Sequence, residues 1–351
     1  MRLLVTGHDG YIGAVLVPML TRAGHDVVGL DSFWYENCAF GPQPEPIPAL
    51  RIDLRDVQAR DLRGFDAVVH LAGISNDPVG DLDPETTYAV NHLASVRLAT
   101  FAKLAGVERF VFSSSCSLYG RAETELELDE MAPESPVTPY GESKVLVERD
   151  VAAFADDSFS PVFLRNATVY GASPRLRVDL VANNLVGFAV TTGEVLIMSD
   201  GTPWRPLVHI EDVCRAFLAV VEAPREAIHN QAINVGRNEE NYQVRDVAQI
   251  VAEAVPDSRV IYAPGGRPDP RSYRVDFSKL SRVLPELELT WTVRQGAESL
   301  ADAYRREGLG LQDLTGSRFT RIGRILELKE HGQLNDSLRW VRAPAPASVG
   351  R

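Results

Sequence analysis

Cysteine is scarce in this chain, and clustered positive charge is missing. Among 351 residues only Cys38, Cys116 and Cys214 are cysteines, and no disulfide or metal-ligand spacing relates them. A disulfide scaffold and a cysteine-built metal centre are thereby excluded; each thiol reads as a small buried hydrophobe, and no metal is expected. The formal charge of −12, with no Lys/Arg cluster, argues against a nucleic-acid or anionic-membrane surface. Any anionic substrate has to be met by individual arginines. No eighteen apolar residues run together, and the start MRLLVTGHDG lacks the apolar core and cleavage site of a signal peptide. The expectation is a cytoplasmic protein with no membrane partner. Internal repeats are absent, as is any Ser/Gly/Pro-rich linker in the first 340 residues. The length suits one large core with a lobe added.

What is present is a rhythm. Short apolar runs recur at Leu3–Val5, Val27–Leu30, Ala67–Leu71, Phe110–Phe112 and Pro161–Leu164, with amphipathic stretches between the later ones. One of these, Tyr88 to Lys103, keeps Val90, Leu93, Val96 and Phe101 near one helical face. Near-continuous apolar strands alternating with helices predict an α/β fold, a Rossmann-like doubly wound parallel sheet covered on both faces. Phe33 to Leu50, rich in Pro, reads as a loop beside the second strand. After Tyr170 the rhythm changes, which predicts a smaller C-terminal α/β substrate lobe. The expected division is 1–170 for the dinucleotide-binding domain with 206–235 returning to it, 171–205 and 236–342 for the lobe, and a disordered tail over 343–351.

The first strand runs into Thr6-Gly7-His8-Asp9-Gly10-Tyr11-Ile12-Gly13, followed by an apolar-periodic helix. Bare backbone N–H groups and a helix N-terminus brought close are what a diphosphate requires, and glycines permit that approach. The second strand ends at Asp31, eighteen residues beyond Gly13, where a carboxylate can accept from both hydroxyls of an adenosine ribose. No Arg or Lys follows in Ser32-Phe33-Trp34, so NAD is preferred over NADP. Asp53, at the end of the third strand, suits the adenine edge or a helix cap almost equally.

The stretch SSSCSLYG, residues 113–120, places hydroxyls and a thiol just past a buried strand, and Pro139-Tyr140-Gly141-Glu142-Ser143-Lys144 supplies their partners. One helical turn separates Tyr140 from Lys144, so both can face one cofactor. A tyrosine that is to act as a base near neutral pH must be lowered by roughly 3 from its ordinary value near 10, worth about 4 kcal/mol. A neighbouring ammonium and a positive nicotinamide both favour the phenolate.

Gly7-x-x-Gly10-x-x-Gly13, Asp31, His70-Leu71-Ala72-Gly73, Asn91, Ser115 and Tyr140-x-x-x-Lys144 together resemble the extended short-chain dehydrogenase/reductase family over residues 1 to about 300. The resemblance implies a bound nicotinamide cofactor, NAD, and usually a nucleotide-diphosphate sugar as substrate. It makes Ser115, Tyr140 and Lys144 the catalytic set. The cofactor would be held by the glycine turn with Tyr11 and Ile12, by Asp31, Asp53 and Leu54, by Leu71, Ala72 and Gly73, and by Asn91 and Ser113 together with Tyr140 and Lys144. Substrate-binding positions carried over are Ser115, Ser117, Thr168, Asn184, Arg205 and Arg267; paired guanidiniums are a sound way to hold a diphosphate. The family's 4,6-dehydratases carry an Asp-Glu pair after the catalytic hydroxyl, because elimination needs an extra acid and base. Here those positions are Cys116 and Ser117, which disfavours dehydration and is similar to the epimerases. Cys116 reads as a packed thiol.

Departures from the family pattern fall in the substrate lobe: Thr168 where an Asn usually meets the substrate, Pro206 after Arg205, the segment Asp77 to Asp81, and an extension after Gly308. The leading expectation is an NAD-retaining nucleotide-sugar epimerase that oxidises transiently to a keto sugar. The alternatives are an NAD(P)H-dependent ketoreductase of a nucleotide-linked deoxysugar and, less favoured, a 4,6-dehydratase or a non-catalytic NAD(P)-sensing regulator. The family likeness also implies a homodimer, with helices around Leu93 to Leu104 and Tyr140 to Phe154 pairing as a four-helix bundle.

Overall fold

A computed structural model of the chain describes residues 1–75, 79–80, 83–121, 127–265 and 271–342. The apolar runs become strands β1 (Arg2–Thr6), β2 (Asp26–Asp31), β3 (Ala49–Arg51), β4 (Ala67–His70), β5 (Arg109–Ser115) and β6 (Ser160–Asn166). All four residues of β4 and all seven of β6 are buried, as expected for strands covered on both faces. Strands β7 (Thr168–Tyr170), β8 (Glu194–Ile197), β9 (Trp204–His209) and β10 (Gln231–Val235) follow.

The main sheet has the order β10-β6-β5-β4-β1-β2-β3, and its six pairings are all parallel. This is the Rossmann order with β10 added at one edge. Strand order reverses between β1 and β4, so a crevice opens beyond their carboxyl ends, where β1 delivers the glycine turn. Strand β9 belongs to a separate three-stranded sheet with β7 and β11 (Asn241–Gln243), and β8 pairs with β12 (Arg259–Tyr262).

The stretch read as one helix from Tyr88 is interrupted. Pro84–Tyr88 and Ala94–Leu104 are α-helical, but Ala89–Leu93 forms a π turn. Its extra residue slips the helical phase, so the predicted common face fails: Val90 is buried while Leu93 is 61% exposed. The loop from Phe33 also has a partner that local composition could not reveal. Phe40 packs edge-on against Tyr304 and Phe319, tying the loop to the C-terminal extension. Trp340 Nε1 donates to the Ser32 carbonyl at 2.7 Å, and Arg55 donates to the carbonyl of Ser337 at 2.7 Å.

No helix among the described residues is long and apolar enough to cross a membrane. Among them, no group of three or more His, Cys, Asp or Glu is placed to hold a metal ion. Arg267, most of the Asp77–Asp81 segment and the tail 343–351 lie outside the described residues.

Candidate active site

A cavity of about 660 Å³ runs along the crevice, within the size range of small-molecule sites. One wall is the glycine turn. Gly7 has φ +71, and a Cβ there would lie 2.7 Å from Ala72 N; at Gly13 a Cβ would lie 2.3 Å from the Gly7 carbonyl oxygen. The turn can therefore close onto the Leu71-Ala72-Gly73 segment only with glycine in place. Tyr11, Ile12, Leu71, Ala72 and Gly73 all line the cavity.

Asp31 ends β2 and lines the cavity. Its two oxygens accept from Asp9 N at 3.1 Å and Phe33 N at 2.8 Å, which fixes the carboxylate while leaving lone pairs for ribose hydroxyls. Nearby arginines are committed elsewhere: Arg51 pairs with Glu36 and lies 4.0 Å over the Phe33 ring, and Arg55 pairs with Asp53 at 2.6 Å. Neither is left for a 2′-phosphate. Asp53 also caps the turn Leu54–Asp56 through Arg55 N at 2.9 Å. Burial opposes its charge, but the Arg55 hydrogen bonds outweigh that and hold the carboxyl below its ordinary range. Asp53 and Leu54 both line the cavity.

At the other end, Thr138 caps the helix Pro139–Ala152 by accepting from Gly141 N at 3.2 Å, with Pro139 in the first turn. This cap aims Tyr140 and Lys144 at the end of β5. Lys144 Nζ donates to the Ser113 carbonyl at 2.7 Å and lies 5.5 Å from the centre of the Tyr140 ring. Burial pushes the Lys144 ammonium down to about 7, with Glu148 pulling the other way. Ser115 ends β5 and caps the next turn, its Oγ accepting from Ser117 N at 3.1 Å and donating to Ser117 Oγ at 3.0 Å. Ser113, Ser115, Ser117, Tyr140 and Lys144 share the cavity wall. The hydroxyls of 113–117 thus serve the crevice and the local turn at once. Cys116 is completely buried, donates to the Arg165 carbonyl at 3.2 Å, and burial pushes its thiol up.

Asn91 is not among the residues lining the cavity. Its Oδ1 accepts from Ile74 N at 2.7 Å, and its Nδ2 donates to the Ile74 carbonyl at 2.9 Å and to Ser143 Oγ at 3.2 Å. The π turn presents Asn91 as a brace between the segment after β4 and the helix Pro139–Ala152. His70 is a second brace. Ser95 donates to the Asn91 carbonyl at 2.6 Å and so must accept from His70 Nε2 at 2.7 Å. His70 Nδ1 then accepts from Thr6 Oγ1 at 2.7 Å, and Thr6 accepts from Ala72 N at 3.3 Å. Burial, helped by Lys144, lowers His70 to about 3, so the ring is neutral.

Thr168, Asn184 and Arg205 line the cavity from the lobe side. Asn184 Nδ2 donates to the Val178 carbonyl at 3.0 Å, and Arg205 Nη1 to the Trp204 carbonyl at 2.8 Å. Sequence reasoning missed Asn166, Arg177, Arg271, Tyr273 and Arg321, which line the same cavity. Asn166 stands opposite Ser115 in the β5–β6 register; its Nδ2 donates to Ser113 Oγ at 3.1 Å while its buried Oδ1 has no hydrogen-bond partner. Only its place at the end of a sheet strand could have marked it.

The glycine turn, the fixed Asp31 and the continuous cavity to Lys144 fit an adenine dinucleotide. The sequence pattern of the NAD dependent epimerase/dehydratase family matches residues 3–236. UDP-glucose 4-epimerase of Neisseria gonorrhoeae is 30% identical over 262 residues, 67% of this chain and 78% of that protein. The NAD complex of Thermus thermophilus UDP-glucose 4-epimerase superposes with a TM-score of 0.74 at 26% identity, covering 87% of this chain and 99% of that one. An NAD-dependent NDP-hexosamine 5,6-dehydratase is similar too, with a TM-score of 0.77 at 26% identity over 87% of this chain and 98% of that one.

Proposed function

The chain belongs to the NAD-dependent epimerase/dehydratase family, and from that premise we propose that it inverts one carbinol centre of a nucleotide-diphosphate sugar while keeping its NAD. The observation that carries this reading is the meeting of Ser115, Tyr140 and Lys144 on the wall shared with the glycine turn and Asp31, with no acid beside Ser115. Bound NAD supplies reversible two-electron acceptance, which converts a sugar carbinol to a ketone and back.

The protein's own residues manage the proton and the position. Tyr140, as phenolate, takes the proton from the sugar hydroxyl directly or through Ser115, and returns it after the keto sugar has turned in the pocket. Lys144, anchored by the Ser113 carbonyl, stabilises the phenolate and holds the nicotinamide ribose. Ser117, Thr168, Asn184 and Arg205 face the sugar nucleotide, with Arg267 as a second guanidinium for its diphosphate. The likeness to a 5,6-dehydratase makes elimination the competing outcome. Buried Cys116 and neutral Ser117 supply neither its acid nor its base, and a product lighter by one water would reveal it.

The reading extends to a homodimer through the helices around 93–104 and 140–154, supported by Leu93 and Leu104, which are 61% and 73% exposed. Light scattering of the purified chain tests this, and a monomer at all concentrations would contradict it. For the reaction, mass spectrometry of the ligand released on denaturation should find NAD in stoichiometric amount. An empty protein that takes up NADPH loosely would favour the reductase instead.

A further inference from the structure

The C-terminal extension places a cation in the cofactor cleft. Arg321 begins the helix Arg321–Glu330, beyond the part of the chain matched by the family pattern, and it lines the cavity with Thr320 and Ile322. It is only 5% exposed. Its Nη2 donates to the Arg175 carbonyl at 3.1 Å, and its guanidinium lies 4.0 Å over the Tyr35 ring. Its Nη1 is buried with no hydrogen-bond partner.

Among the described residues, Asp179 offsets its charge only in part, because Arg177 shares that carboxylate. Arg177 forms a two-pronged pair with Asp179 at 3.1 and 3.0 Å and donates to Ser75 Oγ at 3.2 Å. Among the described residues that group holds two guanidiniums and one carboxylate, a surplus of positive charge at a buried wall. A buried guanidinium without a charge partner or a full set of acceptors is costly, and an aromatic face offsets only part of the cost. The extension is nevertheless fastened in this position by Trp340 on Ser32, by Arg324 Nε donating to the Trp34 carbonyl at 3.3 Å, and by the Phe319–Phe40 contact.

This wall is joined to the phosphate turn on the facing side of the cleft. Arg175, whose carbonyl Arg321 holds, pairs through its guanidinium with Asp9 of that turn at 2.6 Å. The Tyr11 hydroxyl, from the same turn, feels the charges of Arg177, Asp179 and Arg321. We propose that Arg321 is a diphosphate-binding residue for the dinucleotide, by which the extension clamps the cofactor in its cleft. This rests on the assignment of the cleft to NAD. The extension then closes the cleft over the diphosphate and slows cofactor loss, which suits an enzyme that regenerates NAD within each turnover.

The test is calorimetric titration of the full, ligand-stripped chain with NAD, ADP, adenosine and UDP, for wild type, Arg321→Gln and Arg321→Lys. Arg321→Gln should weaken NAD and ADP by about 10- to 100-fold, the worth of a hydrogen bond to a charged group. Adenosine and UDP should bind as in wild type, and Arg321→Lys should fall between. The unliganded Arg321→Gln protein should melt no lower than wild type, because a buried cation with an unpartnered donor has been removed. A lower melting point with NAD affinity unchanged would assign Arg321 a purely structural role and overturn the proposal. So would a loss confined to UDP, which would place the anion on the sugar nucleotide. If wild type binds neither NAD nor ADP, the cofactor assignment itself falls.

Discussion

The cleft has two walls built by different means. The sheet-side wall is made by backbone constraints and short sequence spacings: glycines where a Cβ would strike the chain, a cap that starts a helix, and a Tyr–Lys pair one turn apart. The wall toward the lobe and extension is made by side chains that meet only after folding, such as Arg177 with Ser75, Arg321 with Tyr35 and Phe40 with Phe319. A wall fixed by backbone leaves little freedom in where cofactor and proton-transfer groups stand. A wall fixed by side-chain pairing can change its specificity without disturbing the chemistry beneath it.

That contrast predicts where substitutions bite. Tyr140→Phe removes the proton-transfer group and should lower kcat by about 10²- to 10⁴-fold while released NAD stays stoichiometric; steady-state kinetics with mass spectrometry reads both. Gly7→Ala forces a side chain into a φ of +71 against Ala72 N. It should cost about 1–3 kcal/mol of stability from the backbone strain alone and deplete bound NAD, as denaturant unfolding and cofactor analysis would show. Substitution of Arg205 on the other wall should instead raise KM and leave NAD occupancy alone.

The buried histidines predict an acid limit. His70 and His209 are each held at about 3 by burial, aided by Lys144 and Arg215 respectively, below the ordinary value of 6.5. The unfolded chain therefore binds these protons first. The stability they contribute is fully present above 6.5 and is lost as pH falls toward 3, at about 1.4 kcal/mol per pH unit for each ring. Melting curves of His70→Asn between pH 7 and 5 should show a shallower decline than wild type. The smallest effect belongs to Cys116→Ser: a packed thiol donating to the Arg165 carbonyl should leave kcat within about twofold, well short of the 10²-fold or more that loss of an acid/base group costs.

The two walls differ as much in how far the sequence reveals them. Gly7, Asp31, Ser115, Tyr140 and Lys144 can be read because their spacing is local and each ends or follows an apolar strand or sits in the first two turns of a helix. Arg321 cannot, since nothing near it in sequence distinguishes it from any helical arginine; its meaning comes from a cavity formed by distant parts of the chain. Asn91 stands out in the sequence, but its role as a brace does not, because the π turn that directs its amide to Ile74 and Ser143 has no local sequence signal. The same turn exposes Leu93. The proline-rich loop after Phe33 looks structureless in composition, yet it holds Trp34 and Tyr35 on the cavity wall.

The most direct test of the central claim is turnover by the purified protein with no cofactor added, using a panel of UDP-hexoses followed by NMR. A self-regenerating epimerase converts one of them to its epimer over many turnovers per protein molecule, with no net NADH formed or consumed. Turnover that proceeds only while NADH or NADPH is steadily consumed would contradict the account.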